Sequence, residues 1–301
     1  MKSCRGLAAS AVALACLSWL AAPAQAEEPW QFRIDAFFDR HAVDDGDELP
    51  GSILLLEPRF GAGIFATRTY DLQNNHDLGL AFGLSTERYP DNPRQNRLFF
   101  DAGGDYIIPL SQGALRQLRF GLELRHARND DDWVYNRGRV AAALRFQPAQ
   151  RNTIQLRARL GYRDQNEEET FVGYDQTEYL LDVQHNWRSA EGMWRTTSFL
   201  YFEHREADSI NYTYNEGGVR LIGRRTLTET VSLVGRTNVH LRDYENGIRE
   251  DHFFRGTLGI DWDVGDGLIV SGFGGYETND STVLEKDYDG GIFGFEVSKT
   301  F

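Results

Sequence analysis

Beyond residue 16 the chain has no cysteine, and beyond residue 26 its only lysines are Lys286 and Lys299. The two cysteines, Cys4 and Cys16, sit at the extreme N-terminus, so disulfides cannot staple the rest. Positive charge is therefore carried almost wholly by arginine. After residue 26 nothing approaches 18 consecutive apolar residues, which excludes a transmembrane helix there. The formal charge of -13 makes nucleic acid an unsuitable partner. Hydrolase signatures are also missing. There is no G-x-S-x-G and no H-E-x-x-H. The acidic runs "NDDD" and "NEEE" lack the spacing of a D-x-D-x-D-G calcium loop, so no metal site and no cofactor are expected.

The first 26 residues stand apart. "MKSCRGLAASAVALACLSWLAAPAQA" carries Lys2 and Arg5, then an apolar run, then Ala24-Gln25-Ala26. That is the layout of a secretory signal peptide with an A-x-A cleavage site, which predicts a mature chain of 27–301 beginning at Glu27. Cys16 offers a rival, lipid-modified start, but Ala13 rather than Leu stands three residues before it. Loss of Lys2 and Arg5 shifts the formal charge to -15.

What fills the remainder is a period of two. In "NTIQLRARLGYR", Ile154, Leu156, Ala158, Leu160 and Tyr162 alternate with Thr153, Gln155, Arg157, Arg159 and Arg163. Successive strand side chains point to opposite faces, so this is a strand between an apolar and a polar medium. "RQLRFGLELRH", "DQTEYLLDVQHNW" and "VSLVGRTNVHLRD" read the same way. Fourteen such segments are centred near residues 35, 60, 82, 103, 122, 140, 158, 181, 199, 220, 236, 258, 272 and 296. Between them, long acidic connections such as "VDDGDELPG", "ARNDDD" and "DQNEEETFVG" alternate with short ones such as "DLQNNH", "QPAQRN" and "VGDG".

A soluble β-sandwich also alternates, but its strands are shorter and its turns closer together. Segments of ten or more residues match a tilted crossing of a bilayer. An even strand count with alternating long and short connections is the pattern of a bacterial outer-membrane barrel. The expectation is an all-β, transmembrane, antiparallel up-and-down barrel of about 14 strands, with both termini in the periplasm. Its C-terminus fits: Phe293, Phe295, Val297 and Phe301 share one face of the last segment, so the chain end is expected to pair with the first strand and face lipid.

The segment "NDSTVLEKDYDGGIFGFEVSKTF" resembles the end of certain proteobacterial outer-membrane barrels: a polar loop ending in Asp-Tyr-Asp, then a closing strand with a terminal Phe. It is similar to porin-like barrels of exopolysaccharide loci and, more distantly, to the barrel domain of surface lipoprotein assembly modifiers. Gly290-Gly291 stands where such strands often carry Arg-Asn. The resemblance implies that Phe293, Phe295, Val297 and Phe301 form an assembly signal for the barrel insertion machinery. Outer-membrane lipids and lipopolysaccharide are the further partners it implies. The lipoprotein-assembly group usually carries an N-terminal helical repeat domain; here the first strand follows the cleavage site closely, which favours a stand-alone barrel.

Alternation also assigns the polar face. The fifth to eleventh segments place Arg119, Arg125, Arg137, Arg139, Arg145, Arg157, Arg159, Arg163, Arg195, Arg205, Arg220, Arg224, Arg236 and Arg242 inward. The remaining segments place Asp35, Asp39, Glu57, Glu87, Asp101, Asp105, Asp261, Asp263 and Glu296 inward. One wall is expected to be basic and the other acidic. Arginine forks recognise carboxylate and phosphate, and charges lining a pore set selectivity. A porin-like channel for small hydrophilic anionic solutes, or for a polysaccharide, is the expected function. The alternative is a non-conducting structural or assembly barrel, in which inward charges pair across strands, with Glu123 beside Arg139 or Glu178 beside Arg159. A rim-located enzyme is a third reading. It would draw on His41, His126, His204, His240 or His252, of which His126 and His204 fall in the lipid-facing phase, as does Ser198.

Overall fold

The computed structural model describes residues 29–44, 54–166 and 172–301. The signal peptide expected over 1–26 lies outside the described residues, as do 45–53 and 167–171 in two of the acidic connections. The chain forms β1 (Gln31–Asp44), β2 (Leu54–Asp71), β3 (Asp77–Arg88), β4 (Arg97–Gln112), β5 (Leu115–Arg128), β6 (Trp133–Ala149) and β7 (Asn152–Gln165). It continues with β8 (Gln176–Arg188), β9 (Trp194–Ala207), β10 (Tyr214–Thr226), β11 (Val231–Tyr244), β12 (Glu250–Gly265), β13 (Leu268–Ser281) and β14 (Tyr288–Thr300). Each strand pairs with its sequence neighbours, and β1 pairs with β14, which closes the sheet into a barrel. All fourteen segments read from the alternation fall on these strands.

The molecule is inside-out relative to a soluble protein. Leu181, Leu200 and Leu258, all on the outer wall, are each 60% exposed or more. Phe60, Ile64, Phe82, Leu241 and Phe295 join them in an apolar surface far too extensive for water. The largest fully buried side chains are instead mostly polar: Gln176, Glu178, Asp251 and Glu277, with Val234 the apolar exception. A lipid-facing outer wall and a polar interior place this barrel in the Gram-negative outer membrane.

The connections sort by barrel end, with two departures from the expected lengths: the β11–β12 link 245–249 is no longer than 72–76 or 189–193 at the opposite end, and the β5–β6 link is shorter still. The start of β1, the end of β14 and the connections 113–114, 150–151 and 266–267 lie at one end. Asp266 and Gly267 carry φ of 51° and 77°, the two positive angles that a tight hairpin of this hand requires. The other end bears the acidic connections. Its β5–β6 link is only residues 129–132, however, shorter than 72–76 at the opposite end. Strands β5 and β6 run on into the acidic segment, where Asn129 Oδ1 accepts the backbone N–H groups of Asp131 and Asp132 and makes the turn tight.

The closing seam is shorter than its neighbour. β1 pairs with β2 along Gln31–Asp44, but with β14 only over Arg33–Asp39 against Gly294–Thr300. Past that ladder, side chains take over. Arg40 donates to the carbonyls of Gly291 (3.3 Å) and Leu56 (3.1 Å). Within the ladder, Ser298 donates to Asp35, directly opposite it, at 2.7 Å. The last residue is also tied down: Phe301 N–H donates to the Phe32 carbonyl at 2.8 Å, and its ring is 66% exposed on the outer wall.

Candidate functional site: the charged lumen

Because the side-chain period is two, every second residue of every strand enters the interior. On β5–β11 the inward positions are dominated by arginine, and Glu123, Glu178, Asp182, Glu203 and Glu216 are outnumbered there. On β12–β14 and β1–β4 the inward carboxylates Asp251, Asp261, Glu277, Glu296, Asp35, Asp39, Glu57, Glu87, Asp101 and Asp105 outnumber Arg33, Arg59, Arg97 and Arg255. The interior thus carries a charge difference from wall to wall.

Much of this charge is engaged. Arg139 donates to Glu178 at 2.6 Å, and the pair is nearly dry, with side chains 11% and 1% exposed. Arg157 holds Asp182 at 2.7 Å, and Arg159 faces Glu203 at 3.6 Å. Glu216 accepts from Arg242 (2.7 Å) and from the Tyr201 hydroxyl (2.7 Å). Two-point contacts join Arg119 to Asp105, Arg125 to Asp101 and Arg59 to Asp39. Bidentate geometry of this kind fixes both partners as well as binding them.

The partners differ from those expected. Glu123 is directly opposite Arg139 in the ladder, yet Arg139 reaches past its other neighbour to β8. That neighbour is Gly161, which separates Arg139 from Glu178 on a single ladder line. A Cβ at Gly161 would sit 2.8 Å from Arg139 Cγ and 3.1 Å from Glu178 Oε2. The bare glycine is the channel through which the guanidinium crosses a strand. Arg159, expected beside Glu178, turns to Glu203 instead.

Toward the acidic-loop end the arginines also stack on tyrosines. Arg205 lies 5.3 Å from the Tyr214 ring, Arg242 4.4 Å from the same ring, and Arg249 4.4 Å from Tyr244. Arg163 sits between Tyr135 (4.1 Å) and Tyr174 (4.9 Å). Desolvated contacts of this type contribute about 2 kcal/mol each. They make a stiff collar on the β6–β12 side, which the sequence reading passed over although Tyr201, Tyr214 and Tyr244 all fall in the inward phase.

Six arginines named from sequence, Arg137, Arg145, Arg163, Arg195, Arg220 and Arg236, form no ion pair among the described residues, although Arg137 and Arg163 lie over the Tyr135 ring and Arg220 lies 4.7 Å over the Tyr201 ring. Arg195, Arg220 and Arg236 are exposed to the water of the interior. Two cavities open on the opposing side. One of about 320 Å³ is lined by Arg33, Phe65, Asp101, Glu123, Arg125 and Arg137. One of about 350 Å³ is lined by Asp35, Phe37, Asp39, Arg59, Glu87 and Glu296. The interior is therefore partly braced and partly open.

Three of the candidate histidines lie on different faces of the wall. His126 and His204 face outward and hydrogen-bond Asn136 (2.8 Å) and Asn215 (3.0 Å). His240 faces inward, stacked on Phe253 with centroids 4.5 Å apart. Ser198 faces outward opposite Leu221. The terminal residues lie where the alternation placed them: Phe293 and Phe295 are each 51% exposed on the outer wall, and Val297 is half-buried beside them.

Closure, polarity and strand count define the class: a fourteen-stranded outer-membrane β-barrel of porin-like architecture. Solved structures share the barrel fold. The trimer form of in-vitro folded OmpT, an outer membrane protein of Vibrio cholerae, superposes with a TM-score of 0.53 at 9% identity, covering 91% of this chain and 98% of that one. The outer membrane channel DcaP of Acinetobacter baumannii gives 0.52 at 10% identity, covering 90% and 96%. Likeness at such identities is likeness of fold. No family model matches the chain, and no curated protein matches it.

Proposed function

We propose that this barrel is an outer-membrane channel that passes small hydrophilic anions. The observation that carries this reading is the set of water-exposed inward arginines without ion pairs, Arg195, Arg220 and Arg236, on a wall where arginine outnumbers carboxylate. Like charges aligned on a low-dielectric wall raise the local concentration of counter-ions. The paired arginines brace the wall; the unpaired ones act on the solute. In this reading the acidic-loop end faces the outside and the termini face the periplasm.

The test is reversal potential across a salt gradient in a planar bilayer. Anion preference is expected at low salt and should fade near 1 M, where the Debye length falls to about 3 Å. Replacing Arg220 and Arg236 with Gln should reduce or reverse the preference. Cation preference in the unmodified protein overturns the proposal. Absence of conductance favours the non-conducting barrel, for which the dense Arg–carboxylate–Tyr collar is the supporting observation.

A further inference from the structure

At the short-turn end of the barrel the ladder brings like charges together. Arg188 of β8 is directly opposite Arg195 of β9, and Arg195 is directly opposite Arg224 of β10. All three are in the inward phase. Paired residues on neighbouring strands have Cβ atoms about 5 Å apart, and like charges so placed are destabilising. A similar row joins Arg125, Arg137 and Arg163, but there Asp101 meets Arg125, and Arg137 and Arg163 lie against the Tyr135 ring. Here only Arg224 is met by a carboxylate, Asp261. Among the described residues Arg188 and Arg195 form no ion pair. Arg151, in the neighbouring 150–151 turn, brings a third guanidinium, and its carbonyl accepts the Arg188 backbone N–H at 3.1 Å.

These arginines line a single cleft. A cavity of about 270 Å³ is bounded by Arg151, Arg188, Ser189, Glu191 and Arg195. Glu191 is the sole carboxylate on it. The turn that forms its floor is fixed by its own hydrogen bonds, Ser189 N–H to the Trp194 carbonyl (2.9 Å) and Trp194 N–H to Ser189 Oγ (3.1 Å). The lipid side of the same strands is separate. There Trp194 lies under the Arg225 guanidinium at 5.2 Å, and Trp187 is exposed. The cleft therefore opens to the mouth of the lumen, and the aromatic belt faces the bilayer.

We infer that the Arg151–Arg188–Arg195 cleft is a binding site for a phosphoryl oxyanion, inorganic phosphate or a phosphate monoester, at the short-turn mouth of the barrel. Guanidinium forks match phosphate oxygens in a two-point fashion, and a dianion relieves the repulsion between opposed arginines that no ion pair among the described residues relieves. A soluble anion is the occupant rather than a lipid headgroup, because Arg188 and Arg195 point away from the bilayer face. The inference rests on the anion-channel reading for its purpose, as a site where a solute is captured or released, but not for its chemistry.

Isothermal titration of inorganic phosphate into the folded barrel, in zwitterionic detergent at low ionic strength, tests the site without requiring conduction. Saturable binding is expected. It should weaken at least tenfold in Arg188→Gln/Arg195→Gln, which corresponds to ~1.4 kcal/mol. Arg188→Lys/Arg195→Lys should fall between, since lysine keeps the charge and loses the fork. Retention of the fast-migrating unboiled gel form shows that each variant is folded. In lipid nanodiscs, phosphate binding should be the same in zwitterionic and in phosphatidylglycerol-containing discs. Loss of binding in the anionic discs would assign the cleft to a headgroup and overturn the proposal, as would no phosphate binding by the unmodified barrel or equal binding by the Gln variant. Phosphate binding without bilayer conductance would leave the site standing and remove the channel. Anion conductance without phosphate binding would do the reverse.

Discussion

The Arg139–Glu178 pair gives the sharpest test of how this interior is held. Glu178 is 1% exposed, and its partner reaches it only across Gly161. Replacing Arg139 by Met leaves a carboxylate in a nearly dry site with its shortest contact gone. Removing one member of a buried pair costs roughly 3–5 kcal/mol, because the remaining charge is uncompensated. Replacing both, Arg139→Met with Glu178→Leu, should cost far less, since well-packed apolar pairs often match buried ion pairs in stability. Gly161→Ala probes the route rather than the charges. Its new methyl would meet Arg139 Cγ at 2.8 Å, and overpacking of that kind costs about 1–3 kcal/mol. Urea unfolding of the refolded barrel in detergent, followed by the gel shift of the unboiled sample, measures all three. The singles should unfold at clearly lower urea than the double. Equal midpoints for Arg139→Met and the unmodified barrel would refute the claim that Glu178 depends on this partner, and so would an Arg139→Met/Glu178→Leu variant no more stable than Arg139→Met alone.

Three further outcomes are expected. An epitope inserted after Gly247 should be reached by antibody on intact cells and one inserted after Gln150 should not; the opposite pattern would invert the orientation. Deleting Phe301 removes both of its backbone bonds to Phe32 and should lower the outer-membrane level and weaken the fast-migrating unboiled form, whereas normal levels would make the residue incidental. The Arg88 guanidinium donates to both oxygens of Asp130 (2.6 and 2.9 Å) and holds its carboxyl below the usual range, so this loop contact should persist above about pH 4 and be lost as pH falls through the depressed value. Carboxyl carbon NMR of Asp130 reads this directly, and a midpoint at or above the ordinary aspartate value would contradict it.

The walls were legible in the sequence and the pairings were not, for a physical reason. Alternation is a property of each strand alone, so Leu156, Leu160 and Tyr162 against Arg157, Arg159 and Arg163 could be read from twelve residues. Partner choice is a property of the sheet. An arginine side chain spans more than one strand spacing, so Arg139 selects Glu178 over the adjacent Glu123 once Gly161 clears the path. The same holds for Arg157, which reads as a free lining charge in the sequence but is held by Asp182. Strand ends were blurred where an acidic connection joins the ladder, as at Trp133, because polar residues do not mark whether a backbone is paired. Arg188 went unnoticed since its meaning lies in what stands opposite it. The tyrosine collar was visible in phase but not in function, because a tyrosine facing a polar interior gives no sign of which guanidinium will lie on its ring.

The short ladder between β1 and β14 has a consequence in time. Every other junction joins neighbours in sequence and can form as a hairpin, but the bond from Ser298 to Asp35 spans 263 residues. Contacts of that separation carry the largest loop-closure entropy and form after local ones. The cylinder is therefore the final event of assembly, preceded by a curved fourteen-stranded sheet with two bare edges. Bare edges invite pairing with other chains. The Arg40 contact to Gly291, just beyond the seven-residue span of the seam, and the Ser298 contact to Asp35, within it, give the closing strands an added hold on each other. The sequence thus places side-chain latches at the junction whose failure would leave an open sheet in the membrane.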